Sequence, residues 1–163
     1  NKIINLGPII LLYYLSLSEI DSHFENYFEI LSFNIQLIII YFWVSKRPES
    51  LGSGHVFFAG LINDVVIGFP LGISSLSYLM VSLVATYVKN MTVNTRITTD
   101  WFTFFIAIFF SNLIFFVLLT NFSETTVSII EMSYNIFFTL IFFPFFWFLF
   151  TYYNSIITTG RNA

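Results

Sequence analysis

The sequence predicts an all-α integral membrane protein of six transmembrane helices, with a hairpin broken by glycine and proline between helices 3 and 4. The chain has 163 residues, of which 57% are hydrophobic and 9% are charged, and its mean hydropathy is +0.84. A soluble domain carries about 25% charged residues. The apolar segments are long and mostly lack alternation, which favours helices over a barrel. At about 20 residues for each span, the length allows about six spans in one transmembrane domain, residues 1–163.

The first span is expected at residues 3–18, where the first apolar run lies. A signal peptide is the alternative interpretation, because Ser16-Leu17-Ser18 resembles a small-x-small cleavage site. Five further apolar segments follow, so we favour a membrane helix. The sequence does not begin with methionine, and we therefore expect residues before Asn1.

The second span is expected at residues 30–45, an apolar run that is interrupted by Asn34 and Gln36. Tyr41 and Trp43 lie towards its end. Aromatic side chains of this kind are enriched where a helix crosses the membrane interface, so we expect these two in an interfacial belt.

The third and fourth spans, at residues 56–69 and 72–88, are separated by a short turn around Pro70. Pro70 lacks a backbone N–H and does not fit an undisturbed helix interior. Gly68 and Gly72 flank it, and glycines so placed mark the end of one helix and the start of the next. The sequence therefore predicts a tight hairpin.

The last two spans are expected at residues 101–119 and 135–153, with polar loops at 89–100 and 121–133. Pro144 lies inside the sixth span and should kink it, because proline removes a helix hydrogen bond. No linker or domain boundary interrupts the series of spans.

The distribution of charge predicts the orientation of the spans. Six spans place every basic residue on one side of the membrane, namely Lys2, Lys46, Arg47, Lys89, Arg96 and Arg161. The other side receives the acids Glu19, Asp21, Glu25, Glu29, Glu124 and Glu131. Because positive residues stay in the cytoplasm, we expect both termini there.

Asp64 is the one ionisable residue that the sequence places deep inside an apolar run. Burying a carboxylate in hydrocarbon costs ~3 kcal/mol or more, so Asp64 should face protein or water. Gly60 shares its helix face and lets another helix approach beside the acid. With Asn63, this predicts a polar contact to a partner helix or a hydrogen bond inside the bundle. A proton or cation site is less favoured, because no basic residue accompanies the acid.

Hydrogen bonding at position 64 should matter more than charge. We therefore expect Asp64→Asn to keep most of the function, since an amide still forms hydrogen bonds. Asp64→Leu should lose partner binding, and Gly60→Leu should do the same by steric block.

The sequence lacks the residues of a catalytic centre. His23 and His55 lie in predicted loops on opposite sides of the membrane, and no HExxH, GxSxG or phosphate loop is present. The absence of cysteine excludes disulfides and thiolate metal sites. The net charge is −3 without a basic patch, so nucleic acid is not an expected partner. We predict no enzyme, no catalytic residue, no metal and no cofactor.

Five stretches together resemble the rod shape-determining protein MreD family of bacteria. They are an apolar span ending near Tyr-Trp, a proline loop, a glycine pair, a Gly-Leu-x-x-Asp core and a following Leu-Gly, found here at 34–43, 47–48, 52–54, 60–64 and 68–72. Phe143-Pro144 is similar to the late proline of that family. The resemblance covers residues 32–88 well and the rest by length and span count. Asn63 before the acid and the short first span depart from the family pattern.

This resemblance implies a non-enzymatic component of the cell inner membrane that belongs to the cell-elongation complex. The implied partners are MreC, the MreB filament system, the RodA glycosyltransferase and a class B penicillin-binding transpeptidase, together with membrane lipid. Asp64, Asn63 and Gly60 would form a partner-binding or structural polar site, and Gly68, Pro70 and Gly72 the hairpin turn.

The competing class is a transporter. Six short helices with a glycine-rich broken hairpin also resemble the substrate-binding subunits of energy-coupling factor transporters, which enclose a vitamin or similar small molecule near the outer face. Such a pocket needs convergent polar and aromatic groups, whereas the outer side here offers mostly acids and a compact turn. A membrane enzyme of lipid metabolism ranks last, since no acid–base pair is present.

The separation of acidic from basic loop residues predicts the labelling of single cysteines. A cysteine at Glu25 or Glu124 should react with an impermeant thiol reagent in intact cells, because both positions face outward in the six-span arrangement. A cysteine at Arg96 should stay unlabelled, and its labelling would contradict six spans.

Overall fold

The computed structural model describes residues 2–18, 34–91, 96–122 and 128–159, and within these ranges it contains six α-helices and no strand. The predicted all-α class is thereby confirmed for the described part of the chain. The helices are α1 (Lys2–Leu17), α2 (Ile35–Lys46), α3 (Ser53–Ile67), α4 (Ile73–Met91), α5 (Ile97–Phe122) and α6 (Ile129–Thr159). The acids predicted on the outer side lie outside the described residues, apart from Glu131.

Two of the described helices are long and apolar enough to cross a membrane. They are α5 and the segment Ile129–Thr158 of α6, whose most apolar 18-residue stretches have mean hydropathies of 2.5 and 1.8. Both extend beyond the predicted spans into stretches that we expected to be loops. In α5 this brings Asp100 into the first turn, where the helix dipole favours a negative charge.

α2 lies at the centre of the bundle. Its residues from Leu37 to Ser45 are all buried, as is typical of a helix that is apolar on every side. It contacts α1, α4 and α6, while α1, α3, α4, α5 and α6 pack against one another in that order. With 12 residues, α2 is about 18 Å long, shorter than the ~30 Å hydrocarbon core of a bilayer.

The prediction of an interfacial belt at the end of α2 is wrong. Tyr41 and Trp43 are each 1% exposed. The Tyr41 ring packs edge-on against Phe104 and Phe143, whose own rings stack with centroids 4.4 Å apart. Trp43 packs on Tyr153 of α6. The aromatic side chains are interior because the neighbouring helices leave α2 no lipid-facing side.

The helix directions place four basic residues, Lys46, Arg47, Lys89 and Arg96, at one end of the bundle. α2 and α6 run parallel, since the backbone N–H of Asn34 donates to Thr139 at 2.9 Å while Trp43 packs on Tyr153. α5 runs in the opposite direction, because its first turn meets the end of α2. The α3–α4 turn therefore lies at the end opposite to Lys46, Arg47, Lys89 and Arg96. This arrangement fits the charge pattern, and the sidedness in a membrane stays a prediction.

Candidate functional site

The turn between α3 and α4 is built from two glycines with positive φ. Gly68, at φ 84°, ends α3, and Gly72, at φ 105°, precedes α4. Only glycine adopts such angles without steric cost. The backbone N–H groups of Gly68 and Phe69 both donate to the carbonyl oxygen of Asp64 at 2.9 Å. At the predicted break around Pro70, α3 therefore ends with the carbonyl of Asp64 hydrogen-bonded by the turn, and α4 begins after a few residues.

The carboxylate of Asp64 caps the start of α4. The residue is fully buried, and its Oδ2 accepts a hydrogen bond from the backbone N–H of Gly72 at 2.7 Å. Its Oδ1 accepts one from the N–H of Ser74 at 2.9 Å. The first N–H groups of a helix have no partner within the helix, and the positive end of its dipole favours an anion. The acid of α3 thus supplies the cap that α4 needs inside the bundle.

This geometry changes the expectation for an amide at position 64. Both carboxylate oxygens of Asp64 accept from backbone donors, and a carboxylate is acceptor-only at both atoms. An asparagine would offer one oxygen and one NH2 group, so a donor would face a donor. The structure therefore favours an acid here, contrary to the expectation that Asp64→Asn is well tolerated.

Asn63 joins three helices through a chain of side-chain hydrogen bonds. Its Oδ1 accepts from Gln36 Nε2 of α2 at 3.3 Å, and its Nδ2 donates to Ser74 Oγ of α4 at 3.1 Å. The hydroxyl of Tyr78, also in α4, donates to Gln36 Oε1. The sequence marked Gln36 only as an interruption of an apolar run. Its role depends on partners 27 and 42 residues away, which the local pattern does not reveal.

Gly60 lets α3 touch the backbone of α4. A Cβ atom at this position would lie 2.6 Å from the backbone nitrogen of Ser75 and 2.9 Å from the carbonyl carbon of Ser74. Ser75 Oγ in turn donates to the carbonyl of Phe57 at 3.0 Å. The helix that approaches beside the acid is thus α4 of the same chain. The missing side chain brings the N–H of Ser74 within reach of Asp64.

A second buried acid was missed in the sequence. Asp100 is fully buried, so the expectation that Asp64 is the one deep ionisable group is wrong. Asp100 Oδ2 lies 2.8 Å from Lys46 Nζ and accepts a hydrogen bond from Trp147 Nε1 at 2.9 Å. In the sequence, Lys46 and Asp100 lie next to the ends of apolar segments, in stretches that we expected to be loops. The sequence indicates the pairing in one respect, because Lys46 and Asp100 have opposite charges and are predicted on the same side of the membrane.

One family model matches most of the chain. The family model described as rod shape-determining protein MreD matches residues 3–154, which takes in α3, α4 and their turn. No curated protein and no solved structure matches the chain.

The cap geometry predicts that Asp64→Asn weakens the fold. The amide should leave one buried N–H of the α4 start without an acceptor, and the free energy of unfolding should fall by about 1–3 kcal/mol. Thermal unfolding of the detergent-purified protein measures this. Glu49→Gln is the matched control, since Glu49 is exposed. Unchanged unfolding of Asp64→Asn would contradict the cap.

The contact at Gly60 predicts that even one methyl group separates α3 from α4. Gly60→Ala should lower the free energy of unfolding by about 1–3 kcal/mol, because backbone atoms of α4 must move. Gly54→Ala is the control in the same helix, where a Cβ would meet nothing within 4 Å. That variant should be as stable as the parent or more so, since alanine favours a helix over glycine. Equal stability of the two variants would refute the close contact.

Proposed function

The chain belongs to the MreD family of rod shape-determining membrane proteins, and on this premise we propose that it acts as a non-enzymatic adaptor that binds MreC. Membership implies a role in rod shape determination. The proposed further partners are RodA, a class B penicillin-binding transpeptidase and the MreB system. The proposed setting is the cell inner membrane, crossed six times with both termini in the cytoplasm.

The use of the buried ionisable groups supports a role in binding over catalysis. Asp64 holds the start of α4, and Asp100 is paired with Lys46 and Trp147. Each of these groups bonds to elements of the fold. An enzyme needs acid, base or nucleophile groups that converge on a substrate position, and these contacts instead join one helix to another.

We place the contact with MreC on the outward face of the α3–α4 hairpin. Both helices and the turn carry exposed apolar side chains, namely Phe58, Val65, Leu71, Leu76 and Leu83. Binding would then depend indirectly on Gly60, Asn63 and Asp64, because these residues hold α3 and α4 together in the hairpin. Transmembrane helices associate by close packing of such surfaces and by a few polar contacts.

The transporter alternative finds less support in the cavity between α5 and α6. This cavity has a volume of about 330 Å³ and is lined by Trp101, Phe102, Phe105, Phe137, Leu140 and Ile141. A vitamin site needs polar groups that fix the orientation of the ligand. The Trp101 indole is already bonded to a backbone carbonyl. An apolar groove of this kind suits hydrocarbon better than a vitamin.

Co-purification with MreC tests the proposal. Val65→Trp adds bulk to the exposed hairpin face and should reduce the recovered MreC several-fold without lowering the thermal unfolding temperature. Val117→Trp makes the same change at an exposed position of α5 and should leave recovery unchanged. Equal recovery from both variants would remove the hairpin as the binding surface.

Deletion of the gene provides the second measurement. Loss of the adaptor should give rounded cells, because the elongation complex would lack one of its components. Rod-shaped growth combined with loss of vitamin uptake would contradict the proposal and favour the transporter alternative.

A further inference from the structure

α6 contains an interrupted turn at Pro144. Proline has no N–H, so the carbonyl of Leu140, four residues earlier, receives no hydrogen bond from that position of its own helix. The indole Nε1 of Trp101 in α5 donates to this carbonyl at 3.0 Å. The neighbouring helix α5 thus supplies the hydrogen bond that α6 itself cannot form at Leu140. Proline positions inside helices are common sites of bending, so Pro144 is a candidate hinge.

One carboxylate oxygen holds α6 on the other side of the proline. Asp100 Oδ2 accepts a hydrogen bond from Trp147 Nε1 at 2.9 Å and lies 2.8 Å from Lys46 Nζ. Lys46 Nζ is also 5.9 Å from the centroid of the Trp147 ring, within the range of a cation–π contact. The polar contacts from the ends of α2 and α5 to α6 therefore converge on Asp100 Oδ2, beside the aromatic packing of Trp43 on Phe150 and Tyr153.

The other oxygen of Asp100 is buried and has no hydrogen-bond partner among the described residues. A buried carboxylate normally uses acceptors on both oxygens, as Asp64 does. Asp100 is thus held through only one of its two carboxylate oxygens. A rearrangement that brings a donor to Oδ1 would compensate for the loss of a hydrogen bond at Oδ2. The contacts of Asp100 can therefore rearrange at a lower cost than those of Asp64, both of whose oxygens already accept hydrogen bonds.

From these contacts we propose that Lys46, Asp100 and Trp147 form a latch that holds the C-terminal half of α6 against α2 and α5. When the latch opens, this half pivots about Pro144 while the N-terminal half stays in place. The inference rests on the geometry alone and is independent of the proposed function.

The size of the motion follows from helix geometry. Ile156 lies 12 residues beyond Pro144, which corresponds to about 18 Å along the helix. A proline kink that changes by about 20° would move Ile156 by about 6 Å. The pivot would alter the surface at the end of the bundle that carries Lys46, Arg47, Lys89 and Arg96.

Spin-label distances measure this motion directly, and the sequence contains no cysteine to interfere with labelling. One label replaces the exposed Tyr87 of α4, and the second replaces the exposed Ile156 or the exposed Phe137 of α6. Lys46→Met and Trp147→Phe should each shift or broaden the distance from position 87 to position 156 by about 6 Å. The distance from position 87 to position 137 should stay constant.

Two further variants keep the result interpretable. Lys89→Met removes a positive charge at the same end of the bundle, from an exposed side chain, and should leave both distances unchanged. Adding Pro144→Ala to Lys46→Met restores a donor for the Leu140 carbonyl and should return the distance to its parental value. Constant distances in Lys46→Met and Trp147→Phe would refute the latch, as would equal shifts at both positions of α6. Failure of Pro144→Ala to restore the distance would refute the hinge.

Discussion

The need of α4 for hydrogen-bond acceptors at its first turn shapes the region around the hairpin. A helix that begins inside a bundle cannot rely on water for its first N–H groups. Asp64 meets this need from the preceding helix, and it can do so because Gly60 allows the two backbones to touch. The positive φ angles of Gly68 and Gly72 then turn the chain within a few residues. Cap, contact and turn therefore form one interdependent unit.

The two buried acids offset the cost of their burial in different ways. Asp64 receives backbone donors at both oxygens, and these donors come from the turn and helix that follow it in the chain. Asp100 receives side-chain donors from α2 and α6 at one oxygen, across 54 and 47 residues of sequence. The first arrangement is local and is built with the hairpin. The second depends on the completed bundle, since all three helices must be in place.

The sequence predicted the helical class and the position of the turn, because glycine, proline and hydrophobic runs act locally. It did not predict the donors to Asp64, since these are backbone groups and no residue type marks them. It placed Tyr41 and Trp43 at an interface, because only the packing of the other helices shows that α2 is enclosed. Lys46 and Asp100 were assigned to loops, and their pairing requires knowing which helix ends meet.

The enclosure of α2 has a consequence for the order in which the protein is assembled. α2 is translated before α3, α4, α5 and α6, yet two of its neighbours, α4 and α6, are among these later helices. During synthesis its buried face, including Tyr41 and Trp43, must be sheltered by lipid or by the insertion machinery. The core is therefore complete only after the last helix is in place. Until then, during biogenesis, α2 lacks part of the set of neighbouring helices that encloses it in the finished fold.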